Sequence, residues 1–194
     1  MKENGIELVF LLDRSGSMAG LESDTIGGYN RFLEKQDPKE DVRVTTVLFD
    51  HEMEILHEGT TPEAARLREG EYFVRGSTAL LDAVGKTILR VADRQNRPEA
   101  MEFPRKTVFV ITTDGMENAS KEFDYPDIHR LISKKRRIDG WEFVFLGANL
   151  DVESEAKRLG IDVGKSKRYE STKEGTKAMY DQAFCMCESI LKDE

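Results

Sequence analysis

Short apolar runs rich in β-branched residues alternate with amphipathic helical patterns along most of this sequence. The runs at 6–12, 42–49, 107–112 and 141–146 are nearly continuous in apolar residues, which is typical of strands buried on both faces of a parallel sheet. Residues 161–163 are a short further candidate strand. Residues 52–57 alternate instead, and the polar residues 50–52 before them predict a hairpin turn.

The segments between these runs predict helices. Residues 21–36 show a helical pattern that contains Gly27 and Gly28, and two glycines there predict the close approach of another backbone. Further apolar residues recur at three- and four-residue spacing over 81–91, after Pro126, and over 179–190. Loops are expected at 59–76 and 93–105. Strands that alternate with helices indicate an α/β fold with a mostly parallel sheet, in which ligands bind beyond the carboxyl ends of the strands.

Length, charge and cysteine content narrow the class of protein. A chain of 194 residues is long enough for one domain, predicted here over 1–194 with its core at about 5–192. The net charge of −8 argues against nucleic acid and anionic membranes as partners. We see no signal peptide and no membrane-spanning segment. Cys185 and Cys187 are too close in sequence to join distant parts of the fold, so we expect reduced thiols and a cytoplasmic location.

Oxygen-bearing side chains follow two of the predicted strands at their carboxyl ends. Asp13, Ser15 and Ser17 alternate directly after the first strand, and Asp114 follows the strand at 107–112. Thr78 lies at the start of the helix that leads into that strand. If the strand order reverses between these two strands, they are neighbours, and the five side chains face one crevice.

These five residues offer hard oxygen ligands, which suit Mg²⁺ or Mn²⁺ better than zinc. Mg²⁺ requires about six oxygen ligands in near-octahedral geometry. Three neutral hydroxyls and two carboxylates leave such a shell incomplete and weakly neutralised. The set therefore predicts a cation with an open position that captures an acidic residue of a partner protein.

The pattern Asp13-x-Ser15-x-Ser17, with Thr78 and Asp114, resembles the metal-ion-dependent adhesion site of von Willebrand factor A-type domains, including integrin inserted domains. Segments 10–18, 75–83 and 111–115 are similar to bacterial stand-alone members of that family. The resemblance covers about residues 5–192. It implies a Rossmann-like, doubly wound sheet of six mostly parallel strands, with helices on both faces and one antiparallel edge strand at 52–57. It also implies that the hydroxyls are direct or near-direct ligands, with both aspartates often acting through water.

Plainer interpretations exist for several of these features. Ser17, Thr78 or Ser77 could each cap a helix. The sequences 85–87 and 164–166 look like the ends of phosphate-binding loops, but each lacks the first glycine of that motif. The basic residues 134–137 are either a solvated helix end, which complements the helix dipole, or a docking patch for an acidic partner.

Three classes of function are compatible with these features. The first is a non-enzymatic, metal-dependent interaction module, and intracellular relatives of the resembled family often serve multiprotein assemblies, some linked to AAA+ ATPases. The alternative is a Mg²⁺-dependent phosphohydrolase of the haloacid dehalogenase type with Asp13 as nucleophile, although Ser15 stands where that chemistry needs a second acid. Serine hydrolysis through Ser15 lacks its motif, and a third possibility is a scaffold that does not use the metal.

Asp50, Glu117 and Asn149 are expected at the same edge of the sheet, with roles left open.

Overall fold

The computed structural model describes residues 5–97 and 106–192. The part of the predicted loop that contains Pro98 and Pro104 lies outside these residues, as do both ends of the predicted domain, whose bounds stay a prediction. The six strands are β1 (Gly5–Asp13), β2 (Asp41–Phe49), β3 (Met53–Thr60), β4 (Lys106–Thr113), β5 (Glu142–Gly147) and β6 (Ser166–Arg168). The five α-helices are α1 (Glu22–Glu34), α2 (Leu80–Gln95), α3 (Tyr125–Asp139), α4 (Val152–Leu159) and α5 (Lys173–Lys192).

All six strands of the described residues form one sheet in the order β3-β2-β1-β4-β5-β6. Four of the five strand pairs are parallel, and only the edge strand β3 is antiparallel to its neighbour. The chain passes from β1 outward to β2 and β3, and then returns to place β4 on the other side of β1. The strand order therefore reverses between β1 and β4, which confirms the predicted doubly wound fold with one antiparallel edge strand.

The helices cover the two faces of this sheet. Leu8, Phe10 and Leu12 of β1 pack on one face against α1 and α5, whereas Val9 and Leu11 pack on the other against α2, α3 and α4. This division follows from the two-residue period of a strand, which directs successive side chains to opposite faces. Both faces of β1 are fully buried, as its continuous apolar run requires.

Two short elements differ from the sequence-based expectation. The strand predicted at 161–163 is wrong: the sixth strand is β6, and a 3-10 turn spans Val163–Lys165 just before it. Ile161 is apolar because it packs in the core beside α4, not because it pairs in the sheet. Helix α4 was not predicted, although Asp151 caps its first turn and Gly160 ends it in the left-handed conformation. Among the described residues, no helix has the length and apolar character needed to cross a bilayer.

Gly28 marks a close approach between α1 and α5. A Cβ atom built at this position would lie 2.3 Å from a carbon of the Tyr180 ring, so the neighbour is a side chain of α5 rather than the expected backbone. Gly27 has nothing within 4 Å of its Cβ position. Only one of the two adjacent glycines is therefore required by packing.

Gly28 and Gly27 together provide a matched test of the packing between α1 and α5. We expect Gly28→Ala to lower the free energy of unfolding by about 1–3 kcal/mol, because the added methyl group overpacks a closed contact with the Tyr180 ring. Gly27→Ala should raise it by about 0.5–1 kcal/mol, because alanine restricts the unfolded chain and favours a helix. Urea unfolding of both variants measures the difference. Equal shifts in the two variants would contradict the close α1–α5 contact.

Candidate functional site

The five predicted site residues lie at the carboxyl edge of the sheet, above the pairing of β1 with β4. Leu12 pairs with Thr112 in register, so Asp13 and Asp114 follow the ends of two adjacent parallel strands. The loop 61–79 brings Thr78 to the same edge. The predicted convergence of three loops is present in the structure, whereas the role of these residues as metal ligands stays a prediction.

The loop after β1 is folded by hydrogen bonds of its own. The Ser15 amide donates to Asp13 Oδ1 at 2.7 Å, and the hydroxyl oxygens of Ser15 and Ser17 are 3.2 Å apart. The Gly16 amide donates to the Gly76 carbonyl at 3.0 Å, which attaches this loop to the one that carries Thr78. The alternating acid and hydroxyls of the sequence thus become three neighbouring side chains.

Gly115 lies where the remaining hydroxyls and Asp114 meet. The Ser17 hydroxyl donates a short hydrogen bond to Asp114 Oδ1. A Cβ atom at Gly115 would be 3.4 Å from Ser17 Oγ and 3.6 Å from Thr78 Oγ1. Because glycine has no side chain, a small space remains beside the Cα atom of Gly115, and both hydroxyl oxygens border it. The space is lined by oxygen atoms, which is the donor chemistry that Mg²⁺ and Mn²⁺ prefer.

The carboxylate of Asp13 is held by hydrogen bonds from neighbouring residues. Its Oδ2 accepts a hydrogen bond from Thr113 Oγ1 at 2.6 Å, while Oδ1 accepts from the Ser15 amide. The Tyr72 hydroxyl donates to the Asp13 backbone carbonyl. Two of these contacts fix the carboxylate and the third fixes the backbone, and none of the three donors is a cation.

The site is sheltered, and it opens to solvent on one side. Asp13, Ser15, Thr78 and Asp114 are each at most 3% exposed, whereas Ser17 is exposed. A ligand from solution therefore reaches the cluster beside Ser17.

Two carboxyl groups share this crevice without a cationic side chain. Among residues 5–97 and 106–192, no lysine, arginine or histidine forms an ion pair with Asp13 or Asp114. Burial raises the pKa of Asp13, hydrogen bonds from Ser15 and Thr113 partly lower it, and the charge of Asp114 raises it again. The structure therefore brings two acids together at a cost in electrostatic energy that a bound cation would offset.

A second acidic cluster lies next to this site, and it is neutralised internally. Asp50, His51 and Glu52 are close enough together to hold an ion. However, Arg14 and Arg75 both donate to Asp50 Oδ2 at 2.8 Å, and Arg75 also pairs with Glu52. Burial alone would raise the pKa of Asp50, but these hydrogen bonds outweigh it and lower the pKa. Asp50 and Glu52 therefore already have cationic partners in the folded chain.

Helix capping does not explain the hydroxyls. Helices α1 and α2 both begin without a hydrogen bond from the side chain of the N-cap residue. Glu117 and Ser120 satisfy the first amides of α2 instead, by accepting from Leu81 at 2.9 Å and from Asp82 at 3.0 Å. Ser17 and Thr78 thus remain available to a ligand.

Asn149 and Glu117 lie at the same carboxyl edge of the sheet, as expected. The Asn149 side chain donates to the Asp114 carbonyl at 3.2 Å, and its own backbone is left-handed with φ of 57°. Glu117 fixes the loop after Asp114, because it accepts from the amides of Ala119 and Ser120 as well as from α2. Both residues support the position of Asp114.

Sequence reasoning missed two residues whose hydroxyls donate to the carboxylates of Asp13 and Asp114. Thr113 is bonded to Asp13, and its place beside Asp114 at a strand end was a usable signal. Ser171, in the connection between β6 and α5, donates to Asp114 Oδ2 at 3.1 Å. No local pattern marks Ser171, because it is 57 residues away from Asp114 in the sequence.

The other motifs have structural explanations. Residues 85–87 lie inside α2, and 164–166 span the end of a 3-10 turn and the first residue of β6, so neither forms a loop between a strand and a helix that could bind phosphate. The basic run 134–137 ends α3: Lys135 lies over the Trp141 ring, and Arg136 donates to the Gly160 carbonyl. Cys185 is exposed, Cys187 is buried, and both thiols are free.

No family model matches this sequence, and no curated protein matches it. Solved structures do. The vWF domain of the type V pili tip protein Mfa5 from Porphyromonas gingivalis superposes with a TM-score of 0.70 at 12% identity, covering 98% of this chain and 97% of that one. This chain has the von Willebrand factor A fold.

Other A-type structures are similarly related. Proximal thread matrix protein 1 from the mussel byssus matches with a TM-score of 0.67 at 14% identity and 95% coverage of this chain, which spans under half (46%) of that protein. One structure of it has a zinc-occupied MIDAS motif. The manganese-loaded TRAP protein of Plasmodium vivax matches with a TM-score of 0.66 at 15% identity, covering 97% of this chain and 74% of that one. At these identities the likeness confirms the predicted fold.

Adjacent hydroxyls at 77 and 78 provide a test of the site. We expect Thr78→Ala to weaken Mn²⁺ binding at least about tenfold, the loss typical of removing even a supporting group from a metal site. Ser77→Ala should bind Mn²⁺ like the wild type, because Ser77 is exposed and outside the five-residue set. Isothermal titration calorimetry of both variants measures the two dissociation constants. Equal affinity in the two variants would exclude Thr78 from the site.

Proposed function

We propose that this A-type domain is a non-enzymatic interaction module that binds a divalent cation and, through it, an acidic residue of a partner protein. One observation carries the proposal. Asp13 and Asp114 are buried side by side next to three hydroxyls and form no ion pair within the described part of the chain, whereas nearby Asp50 has two arginines. The residues that would hold the cation are Asp13, Ser15, Ser17, Thr78 and Asp114.

We propose Mg²⁺ or Mn²⁺ as the cation. The donor set contains only oxygen atoms, with no cysteine or histidine, and this favours hard cations over zinc. Manganese and zinc occur in two of the similar solved structures, which supports a divalent ion at this edge of the fold.

An acidic residue is the partner group that best suits such a site. Two carboxylates and three neutral hydroxyls do not supply a full shell of strong ligands for a hard divalent ion. The exposed side at Ser17 leaves room for a ligand from outside. A carboxylate from a partner adds the charge that this donor set lacks.

The alternative of a phosphohydrolase gains no support from the site. A phosphohydrolase of this type would use Asp13 as its nucleophile and a second acid as its proton donor. The residue two positions on is Ser15, which cannot act as the acid that this chemistry needs. We therefore propose binding rather than catalysis.

We further propose that the domain works in the cytoplasm, within a multiprotein assembly of the kind that includes AAA+ ATPases. Two free thiols fit a reducing compartment, since one of them is exposed. The net charge of −8 disfavours nucleic acid and anionic lipid as the partner. The partner is on this proposal a protein surface that presents an acidic residue.

Short peptides test the adhesive mechanism directly. We expect a blocked peptide with one glutamate to bind the Mn²⁺-loaded protein and to shift the amide resonances of 115–118 in the Mg²⁺-loaded protein. The same peptide with glutamine should not bind, because it cannot complete the charge at the cation. Binding should disappear with EDTA and in Thr78→Ala, and persist in Ser77→Ala. Glutamate binding that survives EDTA would contradict the metal mechanism.

A further inference from the structure

Asp50 joins two loops of the candidate site. One is the loop after β1, which carries Ser15 and Ser17, and the other is the loop 61–79, which carries Thr78. Asp50 is the first residue after β2 and is fully buried. Its Oδ2 accepts hydrogen bonds from Nε of Arg14 and from Nε of Arg75, both at 2.8 Å. Its Oδ1 accepts from the Glu52 amide at 2.8 Å, so the carboxylate itself cannot turn freely.

The two arginines belong to different loops of the site. Arg14 lies between Asp13 and Ser15, and Arg75 lies three residues before Thr78. The Arg14 side chain is 1% exposed and turns away from the predicted ligands, towards Asp50 and Glu54. Both guanidinium groups also lie against the Phe73 ring, at 5.0 and 5.7 Å from its centre. Each loop is thus anchored to Asp50 by its own arginine.

Backbone contacts show that this junction fixes the spacing of the loops. The Arg75 amide donates to the Arg14 carbonyl at 2.9 Å, and the Ala79 amide donates to the Asp50 carbonyl at 2.8 Å. Gly76 has φ of 68°, and a Cβ atom there would lie 2.1 Å from His51 Nδ1. The loop before Thr78 is therefore pressed against the turn that contains Asp50.

We propose that Asp50 is a positioning residue of the cation site, which acts through Arg14 and Arg75 to hold Ser15 and Ser17 at the correct distance from Thr78. This inference rests on cation binding as proposed above. Loops that are already in place do not have to be ordered when a ligand binds, and this raises affinity. Without the carboxylate, two neighbouring arginines lose their common partner, and the loops keep their backbone hydrogen bonds, from Arg75 to Arg14 and from Gly16 to Gly76.

Charge alone would also change cation affinity, and Glu54 separates the two effects. Glu54 pairs with Arg14 at 2.7 Å, but it is half exposed, and in the part of the chain that the structure describes it forms no ion pair with Arg75. Glu54→Gln removes the same charge from the same cluster and leaves the bridge between the loops intact. A positioning role therefore predicts different results for Asp50→Asn and Glu54→Gln.

The experiment measures Mn²⁺ dissociation constants by calorimetry on the full chain, together with the melting temperature in EDTA. We expect Asp50→Asn and Arg75→Gln each to weaken binding about tenfold or more, within the range for supporting residues of metal sites. The double variant should be no weaker than Asp50→Asn alone, because both changes break one bridge. Glu54→Gln should stay within about twofold of the wild type. Arg75→Lys should recover part of the affinity lost in Arg75→Gln.

Several results would overturn the inference. Unchanged dissociation constants with a lower melting temperature in EDTA would make Asp50 purely structural. Equal weakening in Asp50→Asn and Glu54→Gln would show an effect of charge alone. Arg75 is 40% exposed, so Arg75→Gln provides the answer even if Asp50→Asn does not fold. A wild type that binds no Mn²⁺ would instead refute the proposed function, and this inference with it.

Discussion

The pairing of β1 with β4 is the constraint on which the site depends. The chain passes outward through β2 and β3 before it returns, and the strand order reverses between the two central strands. Asp13 and Asp114 are thereby fixed side by side at one edge, although they are far apart in sequence. Fully buried apolar strands hold this arrangement rigidly, so the two acids cannot move apart to relieve their repulsion.

The carboxyl edge of the sheet contains two groups of acidic residues. One is paired with arginines, and the other is hydrogen-bonded to hydroxyls. Asp50 is buried with two arginines, and its contacts join neighbouring loops into one rigid support. Asp13 and Asp114 are buried with hydroxyls only, and burial together with their mutual repulsion raises the pKa of Asp13. Among the described residues, arginines pair with Asp50 and none pairs with Asp13 or Asp114. On the function proposed above, this difference marks the position of the cation.

The sequence was sufficient for the features that local patterns encode. Continuous apolar runs located the long strands, and four of the five oxygen-bearing residues lay just past predicted strand ends, with Thr78 at the start of a predicted helix. β6 and α4 were beyond this reasoning because a strand of three residues has no measurable period and a helix of eight has barely two turns. The roles of Asp50 and Ser171 depend on side-chain contacts between residues 25 to 57 positions apart, which only the folded chain reveals.

Anomalous diffraction from a crystal soaked in Mn²⁺ tests the central claim most directly, since it locates the ion without assuming its ligands. We expect a single strong anomalous peak bordered by the hydroxyls of Ser15, Ser17 and Thr78, close to Asp114. A peak among Asp50, His51 and Glu52, or none at saturating Mn²⁺, would contradict that claim.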